Sequence, residues 1–266
     1  MGRKARLTGA GKRLAEVLRQ QFGLIDDALE AVVDDHREVR GHLALGSPRP
    51  FGAVWLRPRL ITLMQGYPRL RITVQFGVPS VLERRLAEGE LDLCILVREP
   101  ELPTVAVEPL YVETFEAVAS PRYLKRHGRP ERADAFAHHA YIVYDDDLPM
   151  HKTWWQAMFG RRAALPTRIS CAIDSLHEMM ALAEAGVGIA ILPDYLVRAS
   201  VDAGRLERLR PRSKQTAARR SARNTIYLAW RTGAIESARM RVARQALQSD
   251  RDGEDKDAAR TKSKGR

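Results

Sequence analysis

GELDLCILV, residues 89–97, decides the fold of this chain together with AEAGVGIAILP, residues 183–193. Each is a short apolar strand entered from a glycine-containing turn, and each follows a helix. Before the first comes VLERRLAE (81–88), with Val81, Leu82 and Leu86 apolar and Glu83, Arg84, Arg85 and Glu88 polar. Before the second comes SLHEMMALAEAG (175–186), where Leu176, Met179, Met180 and Ala183 fall at i, i+3, i+4 and i+7, the buried stripe of a helix. Two copies of helix, turn and buried strand predict two α/β lobes with a ligand site between them.

The same alternation continues outward. HLALG (42–46) is a strand, and FGAVWLRPRLITLMQ (51–65) a helix with Pro58 inside it, a kink costing about 3 kcal/mol unless packing offsets it. LRITVQF (70–76) alternates Leu70, Ile72, Val74 and Phe76 at period two, a strand. TVAVEPL (104–110) adds another, and with the strand VETFEAVAS (112–120) the chain crosses to a second lobe. There follow two short helices, the strand AYIVY (140–144), the aromatic helix KTWWQAMFG (152–160) and the strand RISCAI (168–173). The helix at 175–185, VGIAIL, a helix begun at Pro193 and RLERL complete that lobe. NTIYLAWR (224–231) returns, and a final helix should pack Ile235, Met240, Val242 and Leu247 on the first lobe. The expected boundaries are 41–112 with 224–250 for lobe I and 113–223 for lobe II. A double crossing implies a two-strand hinge.

Residues 8–40 read as one long helix capped by Thr8. Leu18, Ile25 and Val32 recur every seven residues, and Phe22 and Leu29 follow the first two by four. That draws one apolar stripe along roughly 45 Å at 1.5 Å per residue. Such a helix wants a partner helix, so these five residues are the expected dimerisation seam.

These stretches, taken in order, resemble the LysR-type transcriptional regulators. The resemblance runs through Leu7-Thr8-Gly9-Ala10-Gly11, Gly41-His42-Leu43-Ala44-Leu45-Gly46, Leu56-Arg57-Pro58, Tyr67-Pro68, Gly89-Glu90-Leu91-Asp92-Leu93 and Gly186 to Pro193. It covers roughly residues 5 to 250. It implies two Rossmann-like lobes with a hinge and an inter-lobe cleft, similar to the type 2 periplasmic binding proteins, preceded by a linker helix that pairs in the dimer. In the family a winged helix-turn-helix precedes the segment matched by Leu7 to Gly11, which here begins six residues after Met1. The expectation is therefore a sensor and dimeriser that meets DNA only if that head is supplied. A solute-binding protein of the periplasmic type is the alternative. It predicts a signal peptide and no amphipathic N-terminal helix, and this sequence reads the other way.

Composition sets the class. The chain has 266 residues, 45% hydrophobic and 29% charged, ordinary for a globular protein with room for a full core. No apolar run reaches the 18 residues of a membrane span, and MGRKARLTGAGKR is no secretory signal, so a cytoplasmic protein is expected. The net charge of +11 is unevenly placed: residues 205–266 hold 18 Lys and Arg against 7 Asp and Glu. Much of it lies in 211–223 and in 251–266, read as a mobile loop and a disordered basic tail, so it does not mark a folded nucleic-acid surface. Cys94 and Cys171 stand inside strands and read as small buried hydrophobes, not as a disulfide or a metal site.

The candidate effector site gathers at helix starts and strand ends. Ser47, Pro48, Arg49 and Phe51 close the first strand and open the first helix, where free N–H groups favour an anion. Asp174 and Ser175 do the same in lobe II, with Asp174 expected to cap the helix. The resemblance implies that these two starts face each other and hold a small organic acid or amino-acid-like effector; plain capping chemistry is the other reading. Phe76 and Gly77 end the second strand. Arg98 ends the strand of 91–97, as a carboxylate ligand or as a surface residue beside Glu99 and Glu101. Tyr144 opens the acidic run Asp145-Asp146-Asp147, which lacks the glycine turn and the spaced ligands of a calcium loop, so no metal is expected. Trp154, Trp155 and Phe159 read as lobe II core. G-x-S-x-G, a P-loop, H-E-x-x-H and a phosphate-cradling G-x-G-x-x-G are absent. No catalytic set and no cofactor are expected, and the partners are an effector and a second or fourth copy of the chain.

Overall fold

The structure is a computed structural model. It describes residues 39–212 except 162, 164, 166 and 167, residues 221–248, and residues 8–11, 14, 18 and 25. The chain divides into Met1–Tyr111 with Ile226–Arg266 and Val112–Thr225.

In the first unit β1 (Gly41–Ser47) pairs in parallel with β2 (Leu70–Phe76), from Gly41 opposite Leu70 to Ser47 opposite Phe76. It pairs in parallel with β3 (Leu93–Leu96) at Leu45 and Gly46, and β9 (Ala222–Arg231) closes antiparallel on β3. Asp92 fastens β3 to β1: its Oδ2 accepts from the Ala44 N–H at 2.7 Å, and its own N–H donates to the Ala44 carbonyl at 2.8 Å. That is why a carboxylate stands at the mouth of an otherwise apolar strand. Leu82 and Leu86 of α3 (Pro79–Ala87) pack with Leu91, Cys94, Leu96 and Ala44 beneath the sheet.

The first helix passes Pro58 without a break. It runs as α1 (Arg49–Phe51), a π-turn over Gly52–Leu56 and α2 (Arg57–Gly66). The Arg57 N–H donates to the Gly52 carbonyl, five residues back, so the turn is widened just ahead of the proline. A widened turn relieves the clash between a proline ring and the carbonyl four residues before it.

Two expected strands prove to be one. TVAVEPL and VETFEAVAS form β4 (Val105–Ala119), with Pro109 at an exposed position where its missing donor is tolerated. In α9 (Ala238–Gln248) Met240 and Leu247 are buried as expected, but Val242 is only half-buried. Ile235 precedes the helix and is 40% exposed. Ala243 takes the buried position between them, three residues after Met240 and four before Leu247.

The second unit holds the far half of β4, the short α4 (Pro121–His127) and α5 (Ala133–Ala137), and β5 (Tyr141–Val143). After them come α6 (Pro149–Phe159), β6 (Ile169–Ala172), α7 (Leu176–Glu184), β7 (Ile189–Pro193), α8 (Asp194–Asp202) and β8 (Glu207–Leu209). β5 lies in parallel between β6 and β7, and β7 runs antiparallel to β4. Trp154 and Trp155 fill the core with Phe136 and Tyr141; Phe159 packs at 4.7 Å from Trp155. Gly188 admits β7 to this sheet, because a Cβ there would sit 2.6 Å from the Ala140 carbonyl oxygen that accepts from Ile189. β6 is an edge strand, which leaves Cys171 half-buried where full burial was expected, whereas Cys94 is buried.

Of the expected linker helix, Thr8 accepts from the Gly11 N–H at 3.1 Å, and Leu18 and Ile25 are helical and exposed. Phe22, Leu29, Val32, the loop 213–220 and the tail lie outside the described residues. No helix among the described residues is long and apolar enough to cross a membrane.

Candidate functional site

In each unit the candidate residues gather where parallel strands end, and each gathering is described by itself. In the first unit Ser47 and Phe76 end the paired strands β1 and β2, and the Gly77 N–H donates to the Ser47 carbonyl at 3.2 Å. The helix start that follows has no side-chain cap. Pro48 is its N-cap, and the Gly52 N–H donates back to the Pro48 carbonyl at 2.9 Å. The Ser47 side chain is buried, and its hydroxyl donates to the Pro48 carbonyl at 3.1 Å. Phe76 covers it: a Cβ on Gly52 would lie 2.3 Å from the Phe76 ring and 3.1 Å from Ser47 Oγ, so only glycine lets the ring close down. The Arg49 guanidinium stands 5.0 Å from the Phe76 ring centroid. Phe51 is buried and stacks at 4.8 Å on Trp55, with Tyr111 tilted against both.

Thus Ser47, Pro48, Arg49, Phe76 and Gly77 come together, while Phe51 is buried against Trp55 and Tyr111. Arg98 does not join them. Its guanidinium pairs with Glu83 at 3.1 Å and with Glu101 at 3.2 Å. Glu83, only 2% exposed, also accepts from the Glu101 and Leu102 N–H groups, both at 2.6 Å. Arg98 is therefore spent on locking α3 to the loop after β3.

In the second unit Tyr144 follows β5 and Asp174 follows β6, and the Ile173 N–H donates to the Val143 carbonyl at 2.9 Å. The cap of α7 is Ser175, not Asp174 as expected: Ser175 Oγ accepts from the Glu178 N–H. Either residue suits an N-cap chemically; the extended backbone at Ser175 puts its hydroxyl over the first turn. Asp174 is left exposed, and no described side chain pairs with its carboxylate. The Tyr144 phenol is pushed up by burial and then by the charges of Asp174 and Asp145, so the three lie together. Asp145 Oδ1 accepts from the Leu148 N–H, which makes it a turn residue, and no described group of His, Cys, Asp and Glu could hold a metal ion.

Sequence reasoning missed Trp55, Tyr111, Gly52 and a buried carboxylate. Trp55 stands four residues after Phe51, a helical repeat that could have been read. Tyr111 carries no local signal because its partners lie far off in sequence. The buried carboxylate is Glu113 on β4, which accepts from Asn224 Nδ2 at 2.8 Å. Burial raises it to about 7, the Asn224 bond pulls it back, and Asp194 pushes it further up. Asp194 is itself the acceptor of the Thr114 N–H at 3.1 Å.

Residues 36–251 match the family described as the LysR substrate binding domain. The transcriptional regulator TrpI of Pseudomonas aeruginosa is 29% identical over 77% of this chain and 68% of its own length. CrgA of Neisseria meningitidis serogroup C is 25% identical over 81% of this chain and 69% of its length. A regulator of Haemophilus influenzae is 26% identical over 72% of this chain and 65% of its length, so the chain spans about two thirds of these relatives. Among solved structures, the regulatory domain of Neisseria meningitidis CrgA has a TM-score of 0.67 at 20% identity, covering 80% of this chain and 99% of that one. A longer CrgA structure gives 0.68 at 21%, covering 94% and 82%. At these identities the structures are alike in fold.

Proposed function

Because the chain belongs to the LysR substrate binding domain family, we propose that it is the effector-binding part of a LysR-type transcriptional regulator. The observation that carries the reading is the family match across both units, residues 36–251, with strand ends and a helix start carrying polar side chains in each unit. DNA reading belongs to a helix-turn-helix of the kind recorded in the relatives' names. This part takes a small molecule, works in the cytoplasm, pairs through the helix that carries Leu18 and Ile25, and performs no reaction.

The effector we favour is an organic acid or an amino-acid-like metabolite. Arg49 suits a carboxylate. Asp174 beside Tyr144 would repel a second carboxylate and suit an ammonium group, which favours the amino-acid-like class.

A melting-temperature screen of organic acids and amino acids identifies the ligand, and calorimetry then compares variants. Ser175→Ala and Ser47→Ala should each weaken binding by about 0.5–1.5 kcal/mol for a neutral partner atom, nearer 1.5–3 for a charged one. Ser175→Ala also removes the α7 cap, at about 1 kcal/mol of stability. A ligand indifferent to both substitutions sits elsewhere, and this assignment of the site falls.

A further inference from the structure

The serine at the mouth of the first unit's site is shut in. Ser47 and Phe76 stand opposite each other where β1 and β2 end, and in a parallel pair their side chains leave the same face of the sheet. The Ser47 side chain is wholly buried, and among the described residues its hydroxyl has a local partner, the Pro48 carbonyl at 3.1 Å. Phe76 is 39% exposed, so an aromatic ring lies open to solvent over a buried hydroxyl. Both converge on Gly52: a Cβ placed there would run into the Phe76 ring and sit 3.1 Å from Ser47 Oγ.

Arg49 holds the ring down. Its guanidinium stands 5.0 Å from the Phe76 centroid, and no described carboxylate pairs with it. Arg49 is exposed and Ser47 is buried, so an incoming anion meets the guanidinium first. A carboxylate engages a guanidinium through two parallel charge-assisted hydrogen bonds, which outweigh an exposed contact with a phenyl face. Once the ring is released it lifts, and the serine hydroxyl, which rotates freely about its bond, turns from the Pro48 carbonyl to a new acceptor.

We infer that Phe76 is a gate over Ser47, latched by Arg49 and opened by a carboxylate that draws the guanidinium off the ring. The gate regulates the effector site proposed above and rests on that reading, whereas the cover over Ser47 stands without it. A neutral or cationic metabolite offers Arg49 nothing in exchange for the ring and finds Ser47 shut. The gate therefore selects acids before Ser47 is reached. Apparent affinity is lowered in proportion to the fraction of time the gate stands open.

The gate is read without any effector. In the intact chain carrying Ser47→Cys, iodoacetamide labelling at position 47 is followed by peptide mass spectrometry. The rate constant is that of the thiolate, taken from the pH dependence, so a change in thiol acidity does not count. Adding Phe76→Ala should raise it about tenfold or more, because labelling no longer waits for the ring to lift. Arg49→Ala should raise it about threefold, the factor that an exposed cation–π contact supports. Sodium acetate in place of sodium chloride at equal ionic strength should raise it about twofold, and not in the Arg49→Ala variant. Cys94, buried in the same unit, becomes labelled only if that unit opens as a whole. Should Cys94 respond to Phe76→Ala, the decision passes to Phe76→Leu, which keeps an apolar side chain on β2. A rate at position 47 indifferent to Phe76 overturns the gate; one indifferent to Arg49, or not raised by acetate, overturns the latch. The effector reading fails by a different result, a ligand indifferent to both Ser47→Ala and Ser175→Ala, so the two failures are told apart.

Discussion

Glu83 shows how far a single residue can be read before its partners are known. Its place among Arg84, Arg85 and Glu88 gives it to the polar face of α3, yet its carboxylate is buried and holds two backbone amides and Arg98. The signal lay beyond local periodicity, because the amides of Glu101 and Leu102 arrive from across β3. The same contact settles Arg98, which sequence left open between ligand and surface. Ser175 and Asp174 differ in kind: the helix start was legible, but two adjacent capping residues cannot be ranked without the backbone angle at the exit of β6. Glu83→Ala leaves Arg98 and two amides without their acceptor. We expect a loss of about 3 kcal/mol, read as a lowered urea midpoint at unchanged slope. An unchanged midpoint would mean that water replaces the carboxylate at no cost.

At the scale of elements, the duplicated helix, turn and strand were legible because each strand is buried on both faces and each helix shows a stripe. The fusion of two predicted strands into β4 was not, since Pro109 reads as a stop unless its exposed position is known. β4 also carries Glu113, and α6 carries His151, and the two give the second unit opposite responses to pH. Burial holds His151 down at about 4 against an ordinary value near 6.5, so the folded state prefers it neutral. The stability this represents is complete above about pH 6.5 and is lost as pH falls towards 4, amounting to about 3 kcal/mol. Glu113 works the other way. Raised to about 7 from 4.5, it contributes fully below about pH 4.5 and loses its contribution as pH rises through 7. Stability plotted against pH should therefore be a dome, measured by urea unfolding from about pH 4 to about pH 9. His151→Leu should flatten its acid limb and Glu113→Gln its alkaline limb. A dome untouched by either substitution would place the titrating groups elsewhere.

The whole molecule was legible as two α/β units because the chain repeats itself and crosses over twice, and β4 and β9 are the strands that pass from one unit to the other. What composition could not decide was the meaning of the excess positive charge, since a count says nothing of which cations already have partners. Arg129, Arg205 and Arg244 are paired with carboxylates, while no described carboxylate pairs with Arg168. The proposed pairing of two copies rests on a different feature. Leu14, Leu18 and Ile25 are helical and 60%, 44% and 51% exposed, and their spacings of four and seven residues keep them on one helical face. Three large apolar side chains in a row exposed to water cost on the order of 1.5–3 kcal/mol each relative to burial, and a second copy of the same helix is the surface that matches them. Asp at both positions 18 and 25 would place two carboxylates in that seam, where each would have to be desolvated beside its like in the partner. We therefore expect Leu18→Asp with Ile25→Asp to shift the chain towards monomer in sedimentation velocity, by at least a hundredfold in dissociation constant. The melting temperature of the α/β units should stay within a few degrees, because neither residue belongs to their cores. An unchanged sedimentation coefficient in this double variant would mean that the units themselves associate and the helix is only a spacer.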